Sequence, residues 1–301
     1  IKEFAVNSLT ITRSITGTNA LIYLANDSIA TDIPVATLKS KTESAKKEPT
    51  STFSLATVTD IPAHQENKFI DFDRDPLLFW SVSNEGPALA SADLNGDGIA
   101  DIFRGGAIGQ AGQLYYGTAA GGYRAVASTT FASNTASEDT DATFFDADND
   151  GDLDLYVCSG GYESGRNSTA LLDRLYINEG GGKWRKDSQL LPHRSRLVSS
   201  SCVRPYDVDN DGDLDLFIGS RFKLGLYGLP AESYLLINDG KAVFKAESLG
   251  ELGMVTDAIW TSRSTKEAPE LLVCGEFMPL TIIELNETGE VVYQDSLYGT
   301  T

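Results

Sequence analysis

The chain has 301 residues, of which 41% are hydrophobic and 22% charged, a composition that predicts a folded chain with a substantial core. Its formal net charge of -19 argues against nucleic acid as a partner, because a polyanion would be repelled. No stretch approaches the roughly 18 consecutive apolar residues of a membrane-spanning helix, so no transmembrane segment is predicted.

The first part of the chain divides by composition into three segments. Residues 1–38 contain the strand-like pieces "SLTITRSI" and "ALIYLAND" and are predicted to form an N-terminal β-rich segment. Residues 39–52 ("KSKTESAKKEPTST") are polar and rich in residues that break secondary structure, which indicates a linker or an exposed loop. Residues 53–80 are predicted to be a lead-in segment that packs on the fold that follows.

The lead-in segment contains "HQENKFIDFDRDPLL", which is unusually dense in charged residues. Two interpretations stay open for these residues. They either line a site, or form a network of arginine and carboxylates that holds the lead-in against the first repeat. The side chains concerned are His64, Glu66, Asp71, Asp73 and Arg74.

Residues 81–301 contain a repeat. "ADLNGDGIADIF", "FDADNDGDLDLYV" and "YDVDNDGDLDLFI" begin their acidic clusters at Asp93, Asp146 and Asp207, which are 53 and 61 residues apart. An apolar run precedes each cluster, and three further strand-like pieces follow it. Four short strands at this period are typical of a β-propeller blade, so the fold class is predicted to be all-β with a propeller of four-stranded blades.

The repeat phase places blades at about residues 81–130, 138–190, 198–250 and 254–295. In the fourth unit the flanking apolar pattern persists, but the acidic positions have changed. Ser262, Ser264 and Lys266 stand where the other units have aspartate or asparagine, and Glu270 replaces the last aspartate. We therefore expect a blade without a metal site, in which Lys266 supplies the positive charge or the loop has simply drifted.

The aspartates of the first three units have the spacing of a calcium-binding loop. Carboxylates this close together repel one another, and a divalent cation with oxygen ligands removes that repulsion. Positions 1, 3, 5 and 9 offer side-chain oxygens, position 7 a backbone carbonyl, and position 6 is glycine, which permits a sharp turn. The sequence thus predicts about three structural Ca²⁺ ions. The predicted ligands are Asp93, Asn95, Asp97, Ile99 and Asp101; Asp146, Asp148, Asp150, Asp152 and Asp154; Asp207, Asp209, Asp211, Asp213 and Asp215.

A catalytic role for these metals is not expected. The loops supply nearly complete ligand shells, whereas a catalytic metal needs an open position and acid–base groups nearby. The two histidines lie in unrelated contexts, and no nucleophile–histidine–acid arrangement is recognisable. Cys158 and Cys274 follow similar apolar runs and are expected to be buried, with one disulfide among the three cysteines left open.

The "DxDxDGxxDL" loops between strands resemble the FG-GAP/VCBS repeat, which builds the propeller of integrin α subunits and of many bacterial surface proteins. The lead-in, "EGPALASADLNGDGIADIFRGGAIGQAGQLYYG" and "GMVTDAIW" are similar to bacterial VCBS-repeat and ASPIC/UnbV-containing proteins. The resemblance covers about residues 60–285. Propellers of this family commonly have seven or eight blades. Either the lead-in contributes strands or the chain is part of a longer, here incomplete, propeller.

The resemblance implies an extracytoplasmic, calcium-bearing propeller without a common catalytic activity. The expected function is a non-enzymatic binding or adhesion module at the bacterial cell surface, the outer membrane or the periplasm. Its ligand would be a protein or a glycan, and an accessory role in an outer-membrane uptake complex is one specific form. The alternative is a calcium-dependent polysaccharide lyase or glycoside hydrolase on a propeller scaffold.

Overall fold

The computed structural model describes residues 60–76, 78–84, 86–193, 197–261, 269–286 and 291–297, and the backbone of three strands nearer the start. The chain divides into two compact units, Ile1–Ala56 and Thr57–Thr301. In the first unit, β1 (Lys2–Val6) pairs antiparallel with β2 (Leu9–Arg13) and parallel with β3 (Ala20–Tyr23). The predicted linker at 39–52 lies outside the described residues.

The described part of the second unit contains two four-stranded sheets and one seven-stranded sheet, all antiparallel. The seven-stranded sheet consists of two four-stranded parts that share one strand, and the resulting four repeats are called sheets 1 to 4 in chain order. Sheet 1 contains β4 (Leu89–Ala92), β5 (Asp101–Arg104), β6 (Gln113–Gly117) and β7 (Tyr123–Ala125). Sheet 2 contains β8 (Glu138–Phe145), β9 (Asp154–Gly160), β10 (Arg174–Asn178) and β11 (Trp184–Lys186). Sheet 3 contains β12 (Ser199–Tyr206), β13 (Asp215–Phe222), β14 (Ala231–Asn238) and the first part of β15 (Phe244–Thr261). Sheet 4 contains the rest of β15, β16 (Glu270–Glu276), β17 (Leu280–Leu285) and β18 (Val291–Leu297).

Helical structure in the described residues is short. It consists of α1 (Asp71–Arg74), α2 (Thr129–Ala132) and a 3-10 turn at Thr169–Leu171. None of these helices has the length and apolar character needed to cross a bilayer. The sheets have the four-stranded antiparallel pattern of propeller blades. The predicted all-β, propeller-like fold class is therefore confirmed.

The hydrophobic core lies between neighbouring sheets, and β9 shows why. Successive side chains of a strand point to opposite faces, and all of β9 is buried. Leu155 and Val157 join the cluster shared with sheet 1, whereas Tyr156 and Cys158 join the cluster shared with sheet 3. Sheet 3 likewise contributes Phe217 to the cluster it shares with sheet 4. A sheet in the middle of this array is thus apolar on both faces.

The first strands of sheets 2, 3 and 4 lie next to one another and are joined by side chains at their β-bulges. Thr140 Oγ1 donates to the carbonyl oxygen of Ser200 at 2.7 Å. One repeat later, Ser201 Oγ donates to the carbonyl oxygen of Val255 at 2.6 Å. The bulge frees a backbone carbonyl from the ladder, and the hydroxyl of the preceding repeat satisfies it.

Sheets 3 and 4 are connected without a loop. The 18-residue strand β15 pairs with β14 through its first half and with β16 through its second half. Gly250 and Gly253 lie at the changeover with φ of 78° and 150°, conformations that L side chains rarely adopt. The boundary drawn at 250–254 from the repeat phase therefore falls inside one continuous strand.

The three cysteines are free, and two of them are buried. Cys158 lies in the core cluster between sheets 2 and 3, and Cys202 lies in the cluster between sheets 3 and 4. Cys274 is exposed, so the expectation that it is buried is wrong. Leu271 and Val273 face the core shared with sheet 3, and the alternation of β16 directs Cys274 to the opposite face, which no described strand covers.

Candidate metal sites in the aspartate-rich loops

The three aspartate-rich segments are loops that connect the first two strands of sheets 1, 2 and 3. No helix flanks them in the described residues, which separates them from the helix–loop–helix calcium motif. Position 1 accepts the amide of the position-6 glycine in all three, with Asp93, Asp146 and Asp207 at 2.8, 3.0 and 3.2 Å from it. The loops therefore share one folded conformation.

Two positions of each loop adopt the left-handed backbone conformation. The glycines at position 6, Gly98, Gly151 and Gly212, have φ of 80°, 93° and 98°, as the spacing predicted. Position 4 was missed by sequence reasoning. It is Gly96, Asn149 and Asn210, with φ of 72°, 60° and 59°, and glycine and asparagine are the residues that tolerate this conformation.

The aspartate at position 9 also has a structural role that the motif did not suggest. One oxygen of Asp154 accepts the amide of Ala147 at 2.9 Å, and the other accepts the amide of Asn178 at 2.8 Å. Asp101 and Asp215 make the equivalent pairs of bonds. Each of these buried carboxylates thus ties the start of its loop to the end of the third strand of the same sheet.

Loops 2 and 3 bring carboxylates close enough to share one cation. Within each cluster, one oxygen from every residue lies within 4.8 Å of the others. Ca²⁺ binds oxygens at about 2.3–2.6 Å, so two ligands of one ion lie at most about 5 Å apart. The two clusters consist of Asp146, Asp148 and Asp154, and of Asp207, Asp209 and Asp215.

Several oxygens of these clusters are buried without a hydrogen-bond partner among the described residues. They are Asp146 Oδ1, Asp148 Oδ1 and Asp207 Oδ1. A buried carboxylate oxygen without a donor is costly, because it has lost water and gained nothing in return. A cation held between these oxygens would satisfy them, so the residues present fit a calcium ion.

The electrostatics of the two clusters favour the same conclusion. Burial raises the pKa of Asp154 to about 7 and that of Asp215 to about 6, and neighbouring aspartates add to the shift. Burial and the charge of Asp150 also raise the pKa of Asp148. Without a counter-ion these carboxylates are therefore driven toward the protonated form.

Loop 1 differs from loops 2 and 3. Both oxygens of Asp93 accept backbone amides, from Gly96 at 2.9 Å and from Gly98 at 2.8 Å. The bond from Gly98 lowers the pKa of Asp93. Position 3 is Asn95, so the loop carries one carboxylate fewer. A metal in loop 1 stays a prediction. Residues 262–268 of the fourth unit, including Ser262, Ser264 and Lys266, lie outside the described residues.

The charged residues of the lead-in segment make packing contacts. Arg74 donates to the carbonyl oxygens of Tyr162 and Ser164, the latter at 2.7 Å, in the loop after β9. Asp71 is buried and accepts the hydroxyl of Ser83 at 2.6 Å. His64 bonds Glu66 at 2.8 Å. These contacts suit a packing network. The partners of Arg74 differ from the predicted ones, because it donates to backbone carbonyl oxygens in the loop after β9 of sheet 2, whereas the prediction had carboxylates and the first repeat.

Glu138, the first residue of β8, is a buried acid beside this network. Its Oε2 accepts the amide of Ile108 at 3.0 Å. Burial, together with the nearby Glu163 and Glu66, raises its pKa to about 8. The folded state therefore holds the proton more tightly than the unfolded state, whose value is about 4.5. Folding is linked to proton uptake in this range, and stability falls as pH rises from about 4.5 to about 8.

The change Glu138→Gln should remove this pH dependence, because glutamine accepts the same amide without a titratable proton. We expect the melting temperature of the variant, relative to wild type, to rise between pH 5 and pH 9 in a fluorescence melting series. Glu179→Gln, an exposed glutamate of the same sheet, is the control and should show a constant difference. An equal offset for Glu138→Gln at all pH values would contradict the assignment.

One comparison with known proteins, a match to a family model, agrees with the repeat structure over part of the chain. Residues 88–157 match the FG-GAP-like repeat family model. No curated protein sequence matches the chain. A solved structure of an Agrocybe aegerita lectin, titled for its recognition of non-reducing terminal N-acetylglucosamine, matches with a TM-score of 0.45 and 14% identity. The match covers 68% of this chain and half of the lectin chain. The matched segment thus covers sheet 1, loops 1 and 2, the first strand of sheet 2 and part of the second.

Proposed function

We propose that this chain is a non-enzymatic binding module whose propeller-like sheets are stabilised by calcium in the aspartate-rich loops. The observation that carries the proposal is the set of buried, unpartnered oxygens of Asp146, Asp148 and Asp207 inside two carboxylate clusters. An ion in each loop would connect the first two strands of a sheet. Loops 2 and 3 are the tighter sites in this proposal, and loop 1, with fewer free oxygens, is the weaker third.

The proposed ligand is a protein or a glycan, held by loops on a rigid scaffold. The proposed location is extracytoplasmic, at the bacterial cell surface, the outer membrane or the periplasm. This location follows from the resemblance of the loops to repeats of extracytoplasmic proteins. A role in an outer-membrane uptake complex, and the finer relation to VCBS and ASPIC/UnbV proteins, rest on sequence resemblance alone.

Calcium titration by calorimetry tests the metal sites directly. We expect wild type to bind two ions more tightly than a third, and Asp148→Asn to lose one of the tight sites, because it removes a charged ligand oxygen from loop 2. Glu179→Gln removes one negative charge on the surface of the same sheet and should keep every site. Wild type that takes up no calcium at millimolar concentration would refute the proposal.

A further inference from the structure

A groove of about 600 Å³ lies between sheets 1 and 2, beside loop 1. One wall contains Tyr116 of β6 and Arg124 of β7. The opposite wall contains Asp152 of loop 2 and the hairpin Gly180–Gly182. Asp93, Asn95 and Gly96 of loop 1 also line it.

The equivalent junction between sheets 2 and 3 is closed by three hydrogen bonds. The carbonyl oxygen of Ala147 accepts the amide of Ala242 and the Nδ2 of Asn238, each at 2.9 Å. In addition, Asn149 Nδ2 donates to Asp213 Oδ1. These bonds connect loop 2 to the hairpin and the loop of sheet 3.

None of these three bonds has a counterpart between sheets 1 and 2 among the described hydrogen bonds. Asn178, which corresponds to Asn238, donates at 3.3 Å to Leu153 of its own sheet. Position 4 of loop 1 is Gly96, which has no side chain to reach Asp152, whereas position 4 of loop 2 is Asn149. The glycine at position 4 of loop 1 therefore accounts for one of the three absent bonds, and with all three absent the groove stays open.

The open groove leaves three polar groups without hydrogen bonds to other described residues: the Asp152 carboxylate, the Arg124 guanidinium and the Tyr116 hydroxyl. Arg124 lies over the Tyr116 ring, 5.7 Å from its centroid. A carboxylate accepts from two adjacent hydroxyls, and a guanidinium donates in a fork to their oxygens. Gly180, Gly181 and Gly182 all have positive φ, and without side chains they allow a ligand to approach the backbone closely.

We propose that this groove binds a neutral saccharide through a pair of adjacent hydroxyl groups. The inference rests on the proposed binding function and gives it a site and a ligand class. Asp152 and Arg124 carry opposite charges. The Asp152 carboxylate would therefore repel an anionic ligand, and the Arg124 guanidinium would repel a cationic one. A neutral polyhydroxylated ligand satisfies both without leaving a buried charge unpaired.

The test variant introduces between sheets 1 and 2 the asparagine–aspartate hydrogen bond that helps to close the junction between sheets 2 and 3. Gly96→Asn places an asparagine at φ 72°, where asparagine is tolerated, and a Cβ there meets no atom within 4 Å. Its amide should donate to Asp152 as Asn149 does to Asp213, and block the groove. Arg124→Ala removes the exposed donor without disturbing the core. Asn149→Gly is the control, because it removes the corresponding bond from the other junction and changes no residue that lines this groove.

The variants and wild type are applied, with calcium, to a printed array of neutral oligosaccharides, and every retained sugar is titrated by calorimetry. The inference predicts that wild type retains at least one sugar, that Gly96→Asn and Arg124→Ala weaken it by about tenfold or more, and that Asn149→Gly keeps it. A blank array for wild type, or binding that survives both groove variants, overturns the inference. Calcium titration of the same wild-type sample separates this failure from failure of the proposed function.

Discussion

Excess chelator is expected to lower the melting temperature of this protein by about 10–20 °C relative to millimolar calcium. A ligand present at about 100 times its dissociation constant, and bound only by the folded state, contributes about 2.7 kcal/mol per site. Loops 2 and 3 together would then contribute roughly 5 kcal/mol. For a unit of this size, each kcal/mol corresponds to about 2–4 °C. Differential scanning calorimetry with EGTA and with calcium measures the difference.

The control for this experiment keeps the calcium but removes the proposed binding sites by mutation. The double variant Asp146→Asn and Asp207→Asn lacks the charge on an unpartnered oxygen in each cluster, so its melting temperature should respond little to calcium. Magnesium should protect wild type less, since it demands octahedral geometry and gives up water reluctantly. Superimposable wild-type curves in calcium and in chelator would contradict the calcium sites.

The second large effect is expected at the buried ion pair of sheet 2. Arg174 of β10 bonds Asp139 of β8, and the two side chains are 4% and 2% exposed. Asp139 also accepts the amide of Gly106 at 2.9 Å, which connects sheet 1 to sheet 2. Arg174→Leu leaves this carboxylate buried without its cation, and we expect the free energy of unfolding to fall by about 3–5 kcal/mol.

Denaturant unfolding monitored by tryptophan fluorescence measures this loss. Arg185→Leu is the matched control, because Arg185 of β11 pairs with Glu179 in the turn after β10 but is 51% exposed, and such pairs contribute about 0–1 kcal/mol. Adding Asp139→Asn to Arg174→Leu should recover part of the stability, since asparagine still accepts from Gly106. Equal losses for Arg174→Leu and Arg185→Leu would show that the buried charge is not what matters.

The sheets were predictable because their signals are local. Each aspartate-rich loop is followed by the β-forming runs of β5, β9 and β13, and glycine-containing turns mark the next strands. β15 was not predictable in this way. Gly250 and Gly253 read as a boundary between repeats, but pairing with β14 and β16 on either side keeps the strand continuous.

The positions of the loops were predictable, but the structural roles of their individual residues were less so. Spacing identified the aspartates but not the backbone bonds that hold Asp154, because its partner Asn178 is 24 residues away. The left-handed conformation at position 4 did have a local signal, because the residue there is glycine or asparagine in every loop: Gly96, Asn149 and Asn210. The prediction used only the spacing of the aspartates and so missed it. The groove had none, since Tyr116, Arg124 and Asp152 meet only after two sheets pack together.

The shared strand β15 limits how this molecule can be divided. Cutting the chain between its two halves would leave each sheet its four strands, but it would expose the apolar cluster that Phe217 shares with Leu271 and Val273, and exposed apolar surface of this kind promotes aggregation. Mechanical tension applied to sheet 4 would pass into sheet 3 along the covalent backbone, so the two sheets should rupture as one event.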